Sequence, residues 1–179
     1  MIVRAATGAD IPTIADIYGH HVLTGLGTFE EIPPGAAEMA ARKAAVDALG
    51  LPYLVAEADG VIGYAYAAPF RTRAAYRYTV EDSVYVAPGQ QGRGVGKALV
   101  SRLIEICAAL GLHQMMAVIG DSANAGSIGL HRSLGFDTTG VSPQLGFKFD
   151  RWVDVVWMQK TLNPGAGPRP QGAGLIFPR

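Results

Sequence analysis

A β-branched run, Glu81-Asp-Ser-Val-Tyr-Val86, stops at Ala87-Pro88-Gly89, and a loop with glycine at 92, 94 and 96 then runs directly into an apolar-striped segment, Lys97 to Leu110. Strand, glycine loop and amphipathic helix in that order leave the chain few options. Glycines carry no Cβ, so successive backbone amides can converge on one point. The helix behind them adds its own free N–H groups and the positive end of its dipole. Arg93 and Lys97 add charge. The stretch reads as a cradle for a phosphate-bearing ligand. It is not a nucleotide P-loop, which needs Gly-x-x-x-x-Gly-Lys-Ser/Thr. Here Gly96-Lys97 is followed by Ala98 and the first position is Gln91, so no hydroxyl is supplied for Mg²⁺. Nor is it a dinucleotide fingerprint, because the third glycine falls one residue early and half the chain precedes it.

The rest of the chain predicts one α/β domain. At 179 residues it is long enough to bury a sizeable core. Ile2 to Ala6 reads as a first strand. Thr7, Asp10 and Pro12 start a helix that carries Ile11, Ile14, Ile17, Tyr18 and Val22 at helical spacing. A loop over 24–34 leads to a second helix, Ala36 to Leu49, closed by Gly50 and Pro52. Asp59-Gly60 joins two strands, Tyr53 to Ala58 and Val61 to Ala67. A segment rich in cations and aromatics, 69–77, enters the strand Tyr78 to Val86, where Val80, Val84 and Val86 face one way and Thr79, Glu81, Ser83 and Tyr85 the other. After the central helix come a strand at Gln114 to Ile119 and a short helix from Asn124 to Leu134, ended by Gly135. Phe136 to Gly140 begins a strand, Phe147 to Trp152 precedes the last one, and that strand runs from Val153 to Leu162. Residues 163–179 hold eight Pro or Gly and are expected to be a disordered or surface-draped tail beyond a domain at 1–162.

Composition removes several functions. Lys plus Arg and Asp plus Glu are both 15, so no global field attracts nucleic acid. The single cysteine, Cys107, excludes an internal disulfide, fits a reducing compartment and is expected to be a buried, inert thiol. No signal-peptide layout and no apolar run of transmembrane length is present, so a cytoplasmic protein free of the membrane is expected. No cluster has metal-ligand spacing, and no metal is expected.

The element order, the pattern Gln91-x-x-Gly94-x-Gly96, and Asn124-x-x-Ser127-Ile-x-Leu130-x-x-x-Leu134-Gly135-Phe136 together resemble the GNAT superfamily of N-acetyltransferases over residues 1 to about 162. Thr28-Phe29-Glu30, Tyr64-Ala65-Tyr66-Ala67, Ala75-Tyr76, Thr79-Val80-Glu81 and Ser83-Val84-Tyr85-Val86 look like phosphinothricin N-acetyltransferases. Ser127-Ile-Gly-Leu-His131-Arg132, Pro143-Gln144, Lys148-Phe149 and Arg151-Trp152 look like the related methionine sulfone and sulfoximine acetyltransferases. The resemblance implies a single-domain fold, a mixed but mostly antiparallel sheet flanked by helices. It also implies acetyl transfer from acetyl-CoA to the α-amine of a small amino acid-like substrate, direct within a ternary complex.

The resemblance assigns roles residue by residue. Gln91, Gly92, Arg93, Gly94, Val95, Gly96 and Lys97 would hold the pyrophosphate, and the backbone of Val84, Tyr85 and Val86 would pair with the pantetheine arm. Strand splay there would free the Tyr85 or Val86 N–H for the thioester oxygen. Asn124 would touch the cofactor, or cap its helix, or both. Glu81 is the expected base, or else a carboxylate that only pairs with Arg71, Arg73 or the substrate. Asp82 alternates to the opposite side and is the weaker candidate. His131 stands where many superfamily members place a tyrosine that protonates the thiolate; imidazole could donate or accept there, or simply pack beside Leu130 and Leu134. Arg71, Arg73 and Tyr76 would grip the substrate carboxylate, or form a solvated basic loop, and Phe29 and Tyr85 would wall the pocket. His20, His21 and His113 are expected to be structural and Arg77 a surface residue. Arg71 stands where phosphinothricin enzymes have lysine, and the loop around Arg73 differs from methionine sulfone enzymes. The subgroup also implies a homodimer, with the aromatic segment 147–157 at its interface or else covering the sheet. Two alternatives stay open: a silent acyl-CoA sensor, which has no need of Glu81, His131 and the arginines together, and a protein or peptide N-acetyltransferase.

Overall fold

The computed structural model describes residues 1–165, 167, 170 and 172–177. Seven strands form one sheet in the order β1-β2-β3-β4-β5-β7-β6. They are β1 (Ile2–Ala5), β2 (Tyr53–Ala58), β3 (Gly60–Pro69), β4 (Thr79–Val86), β5 (Gln114–Gly120), β6 (Asp137–Lys148) and β7 (Arg151–Thr161). Helices α1 (Ile11–Thr24) and α2 (Ala36–Ala48) pack on each other and on one face; α3 (Val95–Ala109) and α4 (Ala125–Ser133) do the same on the other. The expected element order and the mixed, mostly antiparallel sheet are both present.

Burial follows from periodicity. In α3, Val95, Leu99, Val100, Leu103 and Cys107 turn inward at helical spacing and are all buried. Glycine at position 63 of β3 lets that helix sit close, since a Cβ there would meet Val95 Cγ1 at 2.9 Å. On the opposite face the tyrosines of β2, β3 and β4 stack. Tyr64 lies 5.9 Å from Tyr53 and 5.3 Å from Tyr85, and Tyr85 meets Tyr18 of α1 edge-on at 4.9 Å.

One pairing is unlike the rest. β4 and β5 run parallel and pair only from Thr79↔Gln114 to Asp82↔Ala117. Both strands continue, to Val86 and Gly120, without pairing further. The sheet therefore opens into a V at its middle, while β4 stays fully paired to β3 from Pro69↔Val80 to Gly63↔Val86.

The C-terminal hairpin departs from the sequence expectation. Phe147 to Trp152 is not a lead-in to the last strand: β6 extends to Lys148, β7 begins at Arg151, and Lys148 pairs with Arg151. Phe149 and Asp150 form the two-residue turn at φ 52° and 55°, the left-handed pair that a tight hairpin turn requires, here without glycine. A second irregularity, between Ser142 and Gly146, carries Gln144 at φ 53°, held by its N–H to Asp154 Oδ1 at 2.9 Å. In the tail, residues 166, 168, 169, 171, 178 and 179 lie outside the described residues. Of the rest, Gly172 accepts from Tyr78 Oη at 2.8 Å, the Leu175 N–H donates to Arg77 O at 2.8 Å, and Leu175 is buried, so this part is draped on the domain.

Candidate active site

The V between β4 and β5 is the mouth of a cleft of about 820 Å³. Glu81 to Val86 line one wall and Ala117 to Gly120 the other; the loop from Gln90 to Lys97 closes one end, and Asn124, Ser127, Leu130 and His131 of the α4 region cover a side. Backbone polarity in the V follows from strand alternation. The Ala87 N–H donates to Ile62 O of β3 at 3.0 Å, so Tyr85, two residues back, also points at β3. The amides of Val84 and Val86 therefore point into the cleft, on the stretch where β5 has left. Of the two donors expected for a thioester oxygen, Val86 has the right direction and Tyr85 does not. The Val86 carbonyl is already engaged by His21 Nε2 at 2.9 Å. Burial first, and then the neighbouring His20, lower the His21 pKa, and its Nε2–H faces that carbonyl. His21, expected to be structural, thus lines the cleft.

The glycine loop has the form its sequence requires. Gly92 and Gly94 adopt φ 73° and 82°, and Gly94 is the residue from which α3 starts. A side chain on Gly96 would press on Leu130 Cδ2 at 3.1 Å, so glycine lets α3 and α4 converge beside the loop. Gln91, Gly92, Gly94, Val95, Gly96 and Lys97 line the cleft. Arg93 does not: its guanidinium donates to Gln90 Oε1 at 2.7 Å and borders a smaller hollow with Met1, Asp59 and Ile62. Asn124 does cap α4, its Oδ1 accepting from the Ser127 N–H at 3.1 Å, and it also faces the cleft.

Titratable groups sit on both faces of β4. Glu81 is half-buried beside the cleft, and its pKa is raised, chiefly by loss of water and then by the Asp82 charge, against the opposing pull of Arg71. Asp82 alternates to the other face, as its position predicts, and there meets His131, with Oδ2 3.0 Å from Nε2. Both side chains are buried. The other ring nitrogen, Nδ1, lies 2.8 Å from Ser127 O. Burial alone would lower the His131 pKa, but the Asp82 hydrogen bond and charge outweigh it and raise it. Cys107 is fully buried and its thiol is pushed up to about 12, first by burial, so it is inert as expected.

The cleft's roof is the loop between α1 and α2. Thr28 and Glu30 meet at the Tyr18 hydroxyl, which donates to Glu30 Oε1 at 2.7 Å and lies 2.8 Å from Thr28 Oγ1. Arg42 closes the set on Glu30 at 2.6 Å. Phe29, held between them, extends over Gly146 and Gly120, where a Cβ would overlap its ring or the Leu26 carbonyl. Lys148, almost wholly buried, donates through Nζ to Gly25 O at 2.9 Å and Thr28 O at 2.8 Å. Sequence reasoning gave Lys148 no site role, because nothing local announces a contact made across 120 residues. Of the expected substrate residues, Phe29 and Tyr85 line the cleft, together with the expected base Glu81. Arg71, Arg73 and Tyr76 are exposed and stand outside its wall, on the turn between β3 and β4. Arg71 stacks on Phe70 at 4.2 Å and donates to Phe70 O, yet its charge still reaches Glu81.

Residues 23–136 match the Acetyltransferase (GNAT) family. The chain belongs to that family. A phosphinothricin N-acetyltransferase of Alcaligenes faecalis is 51% identical over 170 residues, 94% of this chain and 86% of that protein. An L-methionine sulfoximine/L-methionine sulfone acetyltransferase of Salmonella typhimurium is 44% identical over 169 residues, 94% of this chain and 98% of that one. The crystal structure of a GNAT phosphinothricin acetyltransferase from Sinorhizobium meliloti, solved with acetyl-CoA, superposes with a TM-score of 0.92 at 47% identity, covering 97% of this chain and 94% of the other. The present chain is thus an acetyl-CoA-dependent GNAT N-acetyltransferase. Its cleft fits that co-substrate on its own geometry: two strand amides without a strand partner, glycines whose backbone is open to a pyrophosphate, and a helix N-terminus behind them. Among the described residues no group of three or more His, Cys, Asp or Glu could hold a metal ion.

Proposed function

We propose that this acetyltransferase acts on the α-amine of a small amino acid-like substrate of the phosphinothricin, methionine sulfoximine or methionine sulfone type, by direct attack in a ternary complex. The names of its relatives support the substrate class. The observation that carries the mechanism is the division of proton chemistry between the two faces of β4, with Glu81 on one and His131 on the other, at the point where β4 and β5 part. Acetyl-CoA supplies the acetyl group as a thioester. Glu81, with raised basicity and no hydrogen-bond donor on it among the described residues, accepts the proton of the substrate ammonium. The Val86 N–H, free of β3, takes the charge that develops on the carbonyl oxygen. His131 cannot serve as the base, because both its nitrogens face acceptors; it returns a proton to the departing sulfur. The loop 91–97 and Asn124 hold the co-substrate, Arg93 from the outer side of the loop. Arg71, Arg73 and Tyr76 meet the substrate carboxylate at the cleft edge, where the Arg71 charge already reaches Glu81.

The enzyme works as a cytoplasmic homodimer. Its single, buried cysteine supports a reducing compartment. Val141, Leu145, Phe147, Phe149 and Trp152 of the β6–β7 hairpin are more than half exposed and form the apolar face that a second copy would cover. The test of the substrate class is CoA release from acetyl-CoA with phosphinothricin, methionine sulfone, methionine sulfoximine, free amino acids and a short peptide. Turnover of a sulfone, sulfoximine or phosphinate is expected. Tight acetyl-CoA binding without turnover of any amine would make the protein a sensor, and turnover of the peptide alone a protein acetyltransferase.

A further inference from the structure

We infer that Asp82 is a positioning residue for His131: the buried carboxylate and imidazole hold one proton between them, and Asp82 fixes the ring in the doubly protonated form that serves as the acid. The inference rests on the reading of His131 as proton donor and adds the residue that makes it one.

The argument is one of donor and acceptor count. Nδ1 lies 2.8 Å from Ser127 O, a carbonyl that can only accept, and 3.4 Å from the Ser127 hydroxyl, which can donate or accept; the shorter contact puts hydrogen on Nδ1. Asp82 Oδ2, 3.0 Å from Nε2, accepts when ionised. A neutral ring with its single hydrogen on Nδ1 would set the Nε2 lone pair against a carboxylate in a buried site. With a second ring hydrogen, on Nε2, both nitrogens donate and both facing oxygens accept. The surroundings give Asp82 no other way to be neutralised. Cys107 of α3 is a neutral thiol, Glu81 is an adjacent carboxylate on the other face, and Phe136 meets His131 edge-on at 5.0 Å. Arg71 stands on the exposed turn between β3 and β4 and acts on Glu81. Among the described residues His131 is the one ion-pair partner of Asp82, and Asp82 Oδ1 is buried with no hydrogen-bond partner at all. A carboxylate buried at this cost is retained here for its effect on the ring.

In turnover the protons balance. The ammonium gives one proton to Glu81, the nitrogen loses a second as the amide forms, and the sulfur leaving as thiolate takes the Nε2 or Nδ1 proton of His131. The pair is then left one proton short and regains it from the second proton lost by the nitrogen, while Glu81 passes the first to solvent, so the net reaction releases one proton. The pair must therefore be protonated for the sulfur to leave, so kcat falls as pH rises through the pair's titration.

The test compares Asp82→Asn, His131→Asn and the double variant, reading kcat against pH together with an NMR titration of the His131 ring nitrogens. The wild-type ring is expected to keep its second proton to higher pH than a free imidazole does, and the basic limb of kcat to move down in Asp82→Asn. At pH 7.5 kcat should drop about tenfold or more in Asp82→Asn, with the acetyl-CoA KM held, and the double variant should be no slower than His131→Asn alone. A wild-type pH profile in Asp82→Asn beside an inactive His131→Asn would overturn the positioning role and spare the acid. Full activity in His131→Asn would remove the acid reading and the inference with it. A wild-type ring that gives up its second proton no later than a free imidazole does would overturn the inference with no variant needed.

Discussion

Glu81 pays for its basicity in stability, and that gives a prediction that no packing account shares. Its pKa is raised because burial and Asp82 disfavour the charged form. Below both its folded and unfolded values the group is protonated in both states and costs nothing. Between them the native state binds more protons than the unfolded chain, so stability falls as pH rises, and above the folded value the whole penalty is present. Glu81→Gln should therefore raise the melting temperature at neutral pH, and the gain should close as pH drops below about 4, the ordinary carboxylate range. Thermal unfolding of both proteins across pH checks this; an equal or lower melting temperature at pH 7.5 would mean that Glu81 is held by a favourable contact instead. The same raised value sets the acidic limb of kcat/KM, which should lie above about 4.3 and vanish in the variant.

Among the elements, the hairpin β6–β7 and the loop between α1 and α2 act as one piece. Lys148 reaches the carbonyls of Gly25 and Thr28, and Phe29 lies over Gly146. Lys148→Met should cost about 1–3 kcal/mol by leaving two carbonyls unpaired. Hydrogen exchange over residues 25–30 should quicken, and the amine KM should rise more than the acetyl-CoA KM; unchanged exchange there would mean that the roof stands without the lysine. In the core, Leu103→Ala on α3 should cost about 2–5 kcal/mol in chemical denaturation, since that side chain is fully buried. The elements were largely legible in the sequence. The period of Ile11 to Val22, the alternation of β4 and the glycines at 92, 94 and 96 are each local signals, and each produced the expected element. The turn at Phe149-Asp150 was not legible, because its left-handed pair lacks the Asn-Gly or Asp-Gly that announces such a hairpin. Alternation gave the face of Glu81 and glycine spacing gave the phosphate cradle, while their roles came from the resemblance. The union of Asp82 with His131 was not legible, for alternation says which face Asp82 takes but not what a helix 49 residues later sets against it. Likewise the choice of Val86 over Tyr85 needs the bond from Ala87 to Ile62, a long-range fact.

At the scale of the whole molecule, the proposed dimer rests on the exposed apolar side chains of the β6–β7 hairpin. Trp152→Glu should shift the mass in light scattering from dimer to monomer; a wild-type monomer would remove the dimer proposal while leaving the active site as described. The fold brings the strand gap, the glycine loop and the titratable residues of β4 to one cleft, and the direct transfer proposed above needs all three at once. Acetyl transfer to methionine sulfone, followed by CoA release in wild type and Glu81→Gln with acetyl-CoA affinity titrated separately, tests that most directly. The expected result is a loss of about 10²–10⁴-fold in kcat with acetyl-CoA affinity unchanged. Wild-type turnover in Glu81→Gln would contradict the assignment of Glu81 as the base, and with it the division of proton chemistry across β4.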